Sequence, residues 1–236
     1  MNEIELRRKF VTACHVLAAE GHNDFVWGHV AVRFRMQPGM WMKPSGLGME
    51  EVQLEDLLLV GWDGVVLQGH QKRHAEYPIH SRIMLTRPDV GATVHTHAAS
   101  STSFSCLNRP LVAMSHEGTY FAPNGVPTFR DTSDLIVTDE LGDAVAATLG
   151  DANGAFLMGH GMVTVGADLV EAVMAVVLLD GACTKQLASM AAGGPETWTS
   201  GDDAVIKRSH VYPRALLEQG WEYLERGLQR RGLGLS

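Results

Sequence analysis

The sequence predicts an α/β domain of three layers, α/β/α, around a central, mainly antiparallel sheet. Three observations carry this. Short alternating runs come in hairpin pairs, and helical runs fall among them without strict strand–helix alternation, so a parallel doubly wound sheet is not called for. The 236 residues suffice for one domain with a sizeable core and not for two large ones, so residues 1–236 are expected to form one domain. Hydrophobic residues at 45% and charged residues at 19% sit near the globular average, which excludes a disordered chain or a fibre. An α+β arrangement of the same elements is the alternative.

The elements follow in chain order. From Glu3 to Ala19, Ile4, Phe10, Val11, Cys14 and Leu17 recur at near-helical spacing until Gly21 stops them. His29 to Arg35 alternates, with Val30, Val32 and Phe34 on one side, and Gly39 to Lys43 extends beside it. Between Asp56 and Leu67, the runs Leu57–Val60 and Val65–Leu67 flank Asp63-Gly64, a hairpin signal. Pro78 suits the first turn of a helix carrying Ile79, Ile83 and Met84 inward and ending before Pro88. Val90 to His97 reads as strand and Ala98 to Cys106 as helix. Leu135 to Thr148, with an acidic start at Asp134 and Gly150 beyond its end, predicts a further helix. Ala155–Met158 and Met162–Val165 flank the turn Gly159-His160-Gly161. Ala167 to Ala191 is a helix apolar nearly all round, broken by Gly193-Gly194-Pro195, and Pro213 to Arg231 is an amphipathic helix anchored by Trp221 and Leu224.

Charge and composition exclude several functions. A net charge of −8 opposes a polyanionic partner, and the one basic cluster, Arg226, Arg230 and Arg231, lies beside Glu222 and Glu225, so no nucleic acid is expected. Leu169 to Cys183, the most apolar stretch, carries Glu171 and Asp180 and falls short of the roughly 18 uninterrupted apolar residues of a membrane span. The charged start MNEIELRRKF lacks the apolar run of a secretory signal, so a soluble, cytoplasmic protein is expected. Cys14, Cys106 and Cys183 are odd in number and far apart, which suggests buried thiols rather than disulfides or a zinc ribbon. Neither a Gly-x-Ser-x-Gly elbow nor a nucleotide-binding glycine loop occurs.

The chemistry lies in the histidines. His95 and His97 are two apart in an expected strand, and a period of two sends both imidazoles to one face. Such a pair is ready to chelate a divalent ion, whereas burying both unpaired would cost on the order of several kcal/mol. The alternative is two ordinary polar residues on an exposed strand face. Glu76 stands just before Pro78 at a helix entrance, and His160 lies between two glycines that let the backbone bend sharply. Taken alone, these are a capping carboxylate and a turn. With the pair they complete a site of three nitrogens and one oxygen suited to Zn, Mn, Co or Fe. His80, one turn beyond Glu76, is read as packing or hydrogen-bonding there.

Glu76, the His95-x-His97 pair 19 residues later and His160 in its glycine turn, with Gly28-His29-Val30-Ala31-Val32-Arg33 and Lys43-Pro44-Ser45-Gly46, resemble the class II aldolase/adducin superfamily over about residues 5 to 225. The resemblance implies the α/β/α fold, a homotetramer with its site at a subunit interface, His95, His97 and His160 as metal ligands, and Glu76 as fourth ligand or proton-transfer base. Sugar-phosphate aldolases of the family carry Asn, Ser and a Ser-Ser pair where this chain has His29, Ala31 and His74-Ala75, so phosphate-binding groups are replaced by imidazoles. With Lys43 and Arg73 nearby, that set is better matched to carboxylates. Val26-Trp27-Gly28-His29, the stretch Arg73 to Pro78 and Ser115-His116-Glu117-Gly118 are similar to the branch that decarboxylates hydroxylated aromatic or heteroaromatic dicarboxylates. The expected activity is therefore a metal-dependent decarboxylase with a small carboxylate substrate. Its expected substrate-binding residues are His29, Lys43, Ser45, Arg73 and His74, and its proton-transfer residues are Glu76, then His116, with Tyr212 reaching a neighbour's site or packing as a core phenol. An aldolase or epimerase on a sugar or sugar phosphate, or a non-catalytic adducin-like scaffold, are the alternatives.

Overall fold

The computed structural model describes residues 2–233. The chain runs through α1 (Glu3–Ala19), β1 (His29–Phe34), β2 (Gly39–Met42), two single 3-10 turns (Met49–Glu51 and Leu54–Asp56), β3 (Leu58–Val60), β4 (Val66–Gln68), α2 (Tyr77–Thr86), β5 (Ala92–Thr96), α3 (Ala99–Ser105) and α4 (His116–Thr119). It continues through β6 (Thr128–Phe129), α5 (Asp139–Leu149), β7 (Gly154–Leu157), β8 (Gly161–Gly166), α6 (Leu169–Ala191), α7 (Gly201–Val211) and α8 (Arg214–Arg230). The strands form one eight-stranded sheet in the order β4-β3-β2-β1-β5-β8-β7-β6. Every neighbouring pair is antiparallel except the edge pair β6–β7.

Strand alternation sorts the side chains into two layers. Val30, Val32 and Phe34 of β1 and Ala92 and Val94 of β5 join Phe10, Val11 and Leu17 of α1 and Val173, Val176 and Leu179 of α6 in one buried cluster. Ala31 of β1 and Met40 and Met42 of β2 face the other way, against Ile79, Ile83 and Met84 of α2 and Val145 and Ala146 of α5. The result is the three-layer α/β/α arrangement with a mainly antiparallel sheet. Helix α1 is held at its start by a capping box, in which Asn2 Oδ1 accepts from Glu5 N–H and Glu5 returns an acceptor to Asn2 N–H. In α8, Leu217, Trp221 and Leu228 are buried and Leu224 packs against them.

Three expectations need correction. Residues 135–138 are not helical: Thr138 caps α5 by accepting from Leu141 N–H, so the helix starts at Asp139. The extended residues before it carry the exposed Leu135 and Val137 and turn the Ile136 N–H toward Glu76. Cys106, at the end of α3, is exposed, while Cys14 and Cys183 are buried. Helix α6 is long and apolar enough to cross a membrane by length and composition alone. Here eleven of its side chains, from Leu169 to Gln186, are buried, most of them in the cluster beneath α1 and α8. The short β6, α4 and the polar α7 carry no periodic apolar signal and were not expected from the sequence.

Candidate metal centre

β1 and β5 pair so that His29 lies opposite His95, on the face away from the α1–α6 layer. His97 follows just beyond the end of β5, two residues on from His95 and on the same side. The turn joining β7 to β8 brings in His160, with Gly159 at φ +66°. A Cβ on Gly161 would lie 2.4 Å from Thr96 O and 2.9 Å from the His97 ring, so only glycine lets β8 approach closely enough to set His160 beside the pair. Glu76 is the N-cap residue of α2, yet its side chain caps nothing and turns into the same space.

The ligand atoms of Glu76, His95, His97 and His160 all lie within 4.8 Å of one another. His95 Nδ1 is 2.9 Å from Met162 O, and His97 Nδ1 is 2.9 Å from Asp24 Oδ2. A carbonyl and a carboxylate only accept, so both Nδ1 atoms carry the proton and both Nε2 atoms present lone pairs. Those two Nε2 atoms face each other at 2.9 Å. His160 Nε2 is buried without a hydrogen-bond partner and 3.6 Å from Glu76 Oε1. Three imidazole nitrogens and a carboxylate thus converge, and two of the nitrogens face each other with no proton between them, an arrangement a divalent cation satisfies and apolar burial does not. The Asp24–His97 contact orients a ligand from outside, as partners behind metal-bound imidazoles do.

Glu76 Oε1 accepts from Ile136 N–H at 2.8 Å, and Oε2 lies 3.8 Å from His29 Nε2 and 4.0 Å from His95 Nε2. Burial alone would raise this carboxyl, but His160, His29 and His95 outweigh it and hold the group well below the usual carboxylate range. Four imidazoles, those of His95, His29, His74 and His80, are neutral for the complementary reason. Burial lowers His95 and His29 well below their ordinary value, His74 to about 4 and His80 to about 3. Behind Glu76, His29 Nδ1 lies 2.6 Å from His80 Nε2, and His80 Nδ1 lies 2.5 Å from Thr93 Oγ1, with all three side chains fully buried.

The cluster opens into a cleft of about 500 Å³ lined by Trp27, Ser45, His74, Ser133, Leu135 and Gly159, together with Glu76, His97, His160 and Asp24. Of the expected substrate-binding residues, Ser45 and His74 reach this lining, and His29 lies just behind it, its ring 4.5 Å from that of His74. Lys43 does not line the cleft: its buried ammonium donates to Val26 O at 3.1 Å and Pro44 O at 3.2 Å, which ties two loops together. Arg73 is also turned away, donating to Gly64 O and His74 O and stacking on Tyr77. His116 is exposed at the start of α4, and Tyr212 packs edge-on against Tyr120 at the end of α7, so neither meets the cleft within one chain. Asp24, Trp27, Ser133 and Leu135 were not foreseen as site residues. Asp24 and Ser133 lie in loops without a motif; only the stretch Val26 to His29 hinted at Trp27.

Residues 8–187 match the family model described as the class II aldolase and adducin N-terminal domain. The chain is 30% identical over 176 residues to the 5-methylthioribulose-1-phosphate/5-deoxyribulose-1-phosphate aldolase of Rhodospirillum rubrum, covering 75% of this chain and 77% of that one. It is 28% identical over 220 residues to the 3,4-dihydroxyphthalate decarboxylase of Rhodococcus jostii, covering 86% and 88%. Among solved structures, the L-fuculose 1-phosphate aldolase from Glaciozyma antarctica superposes with a TM-score of 0.83 at 25% identity, over 96% of this chain and 90% of that one.

Proposed function

This chain belongs to the class II aldolase and adducin family, whose enzymes are lyases that use a divalent metal, and we propose that it is a carboxy-lyase of a hydroxylated aromatic or heteroaromatic dicarboxylate. The observation that carries this reading is the makeup of the cleft. Its walls are the flat indole of Trp27 and the apolar Leu135, and imidazoles stand at the positions where phosphate-binding family members present an amide and paired hydroxyls. An aromatic ring with a carboxylate fits between such walls by apolar contact and charge-assisted hydrogen bonds. The similarity to the dihydroxyphthalate decarboxylase, which spans more of both chains than that to the aldolase, points the same way.

His95, His97, His160 and Glu76 would hold the ion, of which zinc is the typical example in the class and manganese, cobalt or iron the alternatives. A bound divalent cation supplies Lewis acidity, drawing the electrons of a breaking carbon–carbon bond onto a neighbouring oxygen. The protein's own groups do the rest. Glu76, ionised at rest, takes the proton of the substrate's ring hydroxyl on binding and passes it to the ring carbon that bears the departing carboxylate, leaving a ring carbonyl. The carbon–carbon bond then breaks, its electrons return to that oxygen as carbon dioxide leaves, and the ring regains its aromaticity as the phenolate. Ser45 and Ser133 hold the second carboxylate through their hydroxyls, while His74, whose Nε2–H is spent on Pro44 O at 3.0 Å, lines the cleft as a neutral ring with the Lys43 ammonium 3.3 Å behind it contributing charge rather than contact. In a homotetramer, His116 and Tyr212 would serve a neighbour's cleft rather than their own.

The sugar-phosphate reading keeps its support in the 30% identity to the Rhodospirillum aldolase and in the superposition on the Glaciozyma L-fuculose 1-phosphate aldolase. The two separate on products. With 3,4-dihydroxyphthalate and zinc, carbon dioxide release that stops on chelation is expected. Formation of lactaldehyde from L-fuculose 1-phosphate without decarboxylation of any aromatic acid would replace this reading by the aldolase one.

A further inference from the structure

A row of three buried side chains behind the metal centre is wired in one direction, and that direction decides what His29 does. Thr93, His80 and His29 are fully enclosed and, among the described residues, their side chains hydrogen-bond only to each other, at 2.5 Å between Thr93 Oγ1 and His80 Nδ1 and 2.6 Å between His80 Nε2 and His29 Nδ1. Two neutral imidazoles in such a row admit two proton arrangements. In one, Thr93 donates to His80, His80 donates to His29, and His29 keeps its proton on Nε2. In the other every bond is reversed, and His29 Nε2 is a bare lone pair.

Both ends of the row favour the first arrangement. At the inner end, His80 is the only hydrogen-bond partner of the Thr93 hydroxyl among the described residues, so accepting there would leave its own proton buried and unpaired, at a cost of about 1–3 kcal/mol. At the outer end, His29 Nε2 faces Glu76 Oε2 at 3.8 Å, beyond hydrogen-bond range but aimed at an anionic acceptor. A lone pair there would point at negative charge, and an N–H points at its complement.

We propose that Thr93 and His80 are positioning residues that lock His29 as an Nε2–H donor into the centre. This explains why a fourth imidazole, with its ring 4.8 Å from that of His95, stands beside three ligands without being one. His29 thereby becomes a fixed, neutral donor for the substrate oxygen that gains charge as the carbon–carbon bond breaks, preorganised because its proton cannot move to the other nitrogen without reversing the whole row. That catalytic role rests on the lyase chemistry proposed above; the wiring does not.

Nitrogen-15 spectra of histidine-labelled, zinc-loaded protein distinguish the two tautomers of each neutral ring. Both His29 and His80 are expected to carry the proton on Nε2. Thr93→Ser should keep that pattern, whereas Thr93→Val should lose the single Nε2–H tautomer at His29 while zinc content stays at the wild-type level. A wild-type His29 protonated on Nδ1, or bound to zinc through Nε2, overturns the proposal, as does an unchanged pattern in Thr93→Val. The wild-type spectrum alone decides the direction of the wiring if the valine variant does not fold. Failure to decarboxylate any aromatic acid would remove the catalytic role and leave the tautomer measurement standing.

Discussion

Along β1 and β5 the two faces of the sheet carry different chemistry. Toward α1 and α6, strands β1 and β5 send Val30, Val32, Phe34, Ala92 and Val94 into a layer of Phe, Val, Leu and Ala. Toward α2, the intervening residues of the same strands are His29, Ala31, Arg33, Thr93 and His95, and α2 answers with His80 beside Ile79 and Ile83. Six imidazoles, those of His29, His74, His80, His95, His97 and His160, form one contiguous group there. One face supplies apolar burial alone; the other joins a second apolar cluster to polar groups held in place against their desolvation cost, which is where proteins place reactive centres and lose stability for them. A one-residue slip of β5 would exchange the two sets, so the close packing beneath α6 also keeps His95 in its register.

This division can be broken from either side. The largest effect belongs to the ligands: His95→Ala should strip the bound metal and abolish turnover while the fold persists, read by metal content and circular dichroism. On the other face, Phe10→Ala should cost roughly 3–5 kcal/mol in urea unfolding and leave turnover per folded molecule unchanged. Loss of metal affinity in that variant would show that the faces are not separable. Glu76→Gln should keep most of the metal yet slow turnover by roughly 10² or more, since the amide cannot carry the proton. Asp24→Asn, which weakens the acceptor behind His97, should lower metal affinity roughly 10- to 100-fold.

A graded effect follows from the neutral imidazoles. His80 at about 3, and His74 and His22 at about 4, all fall below the ordinary 6.5 because burial disfavours their charged forms. The unfolded chain therefore binds more protons in that interval, and stability rises with pH through it. The metal-free protein should lose stability as pH falls from about 6.5 to 4 as these rings take up protons on unfolding, and should go on losing it below 4 as the more deeply shifted His29, His95 and Glu76 add their share, as followed by the urea midpoint. A flat profile would mean these rings are charged or solvated in the fold.

Much of this was legible in the sequence because it depends on short-range periodicity. The two-residue spacing of His95 and His97, the glycines around His160 and the Pro78 helix start each fix a local geometry. What the sequence could not convey depends on tertiary approach. Asp24 reaches His97 across 73 residues, and Ile136 N–H reaches Glu76 across 60. The second contact explains the mistaken helix start: Leu135 to Val137 have apolar helical spacing, but they are drawn out over the cleft instead. Lys43 misled for a related reason. A lysine near a glycine loop suggests an anion site, whereas burial and two carbonyl acceptors make it a tie between loops.

The central claim is that four side chains from α2, β5 and the β7–β8 turn hold one cation. Metal analysis of the purified protein, joined to X-ray absorption at the metal edge, tests it most directly. About one divalent ion per chain, with a shell of imidazole nitrogen and carboxylate oxygen that disappears in His95→Ala, is the expected result. No divalent metal above trace after zinc loading, or an ion whose surroundings are the same in that variant, would contradict it.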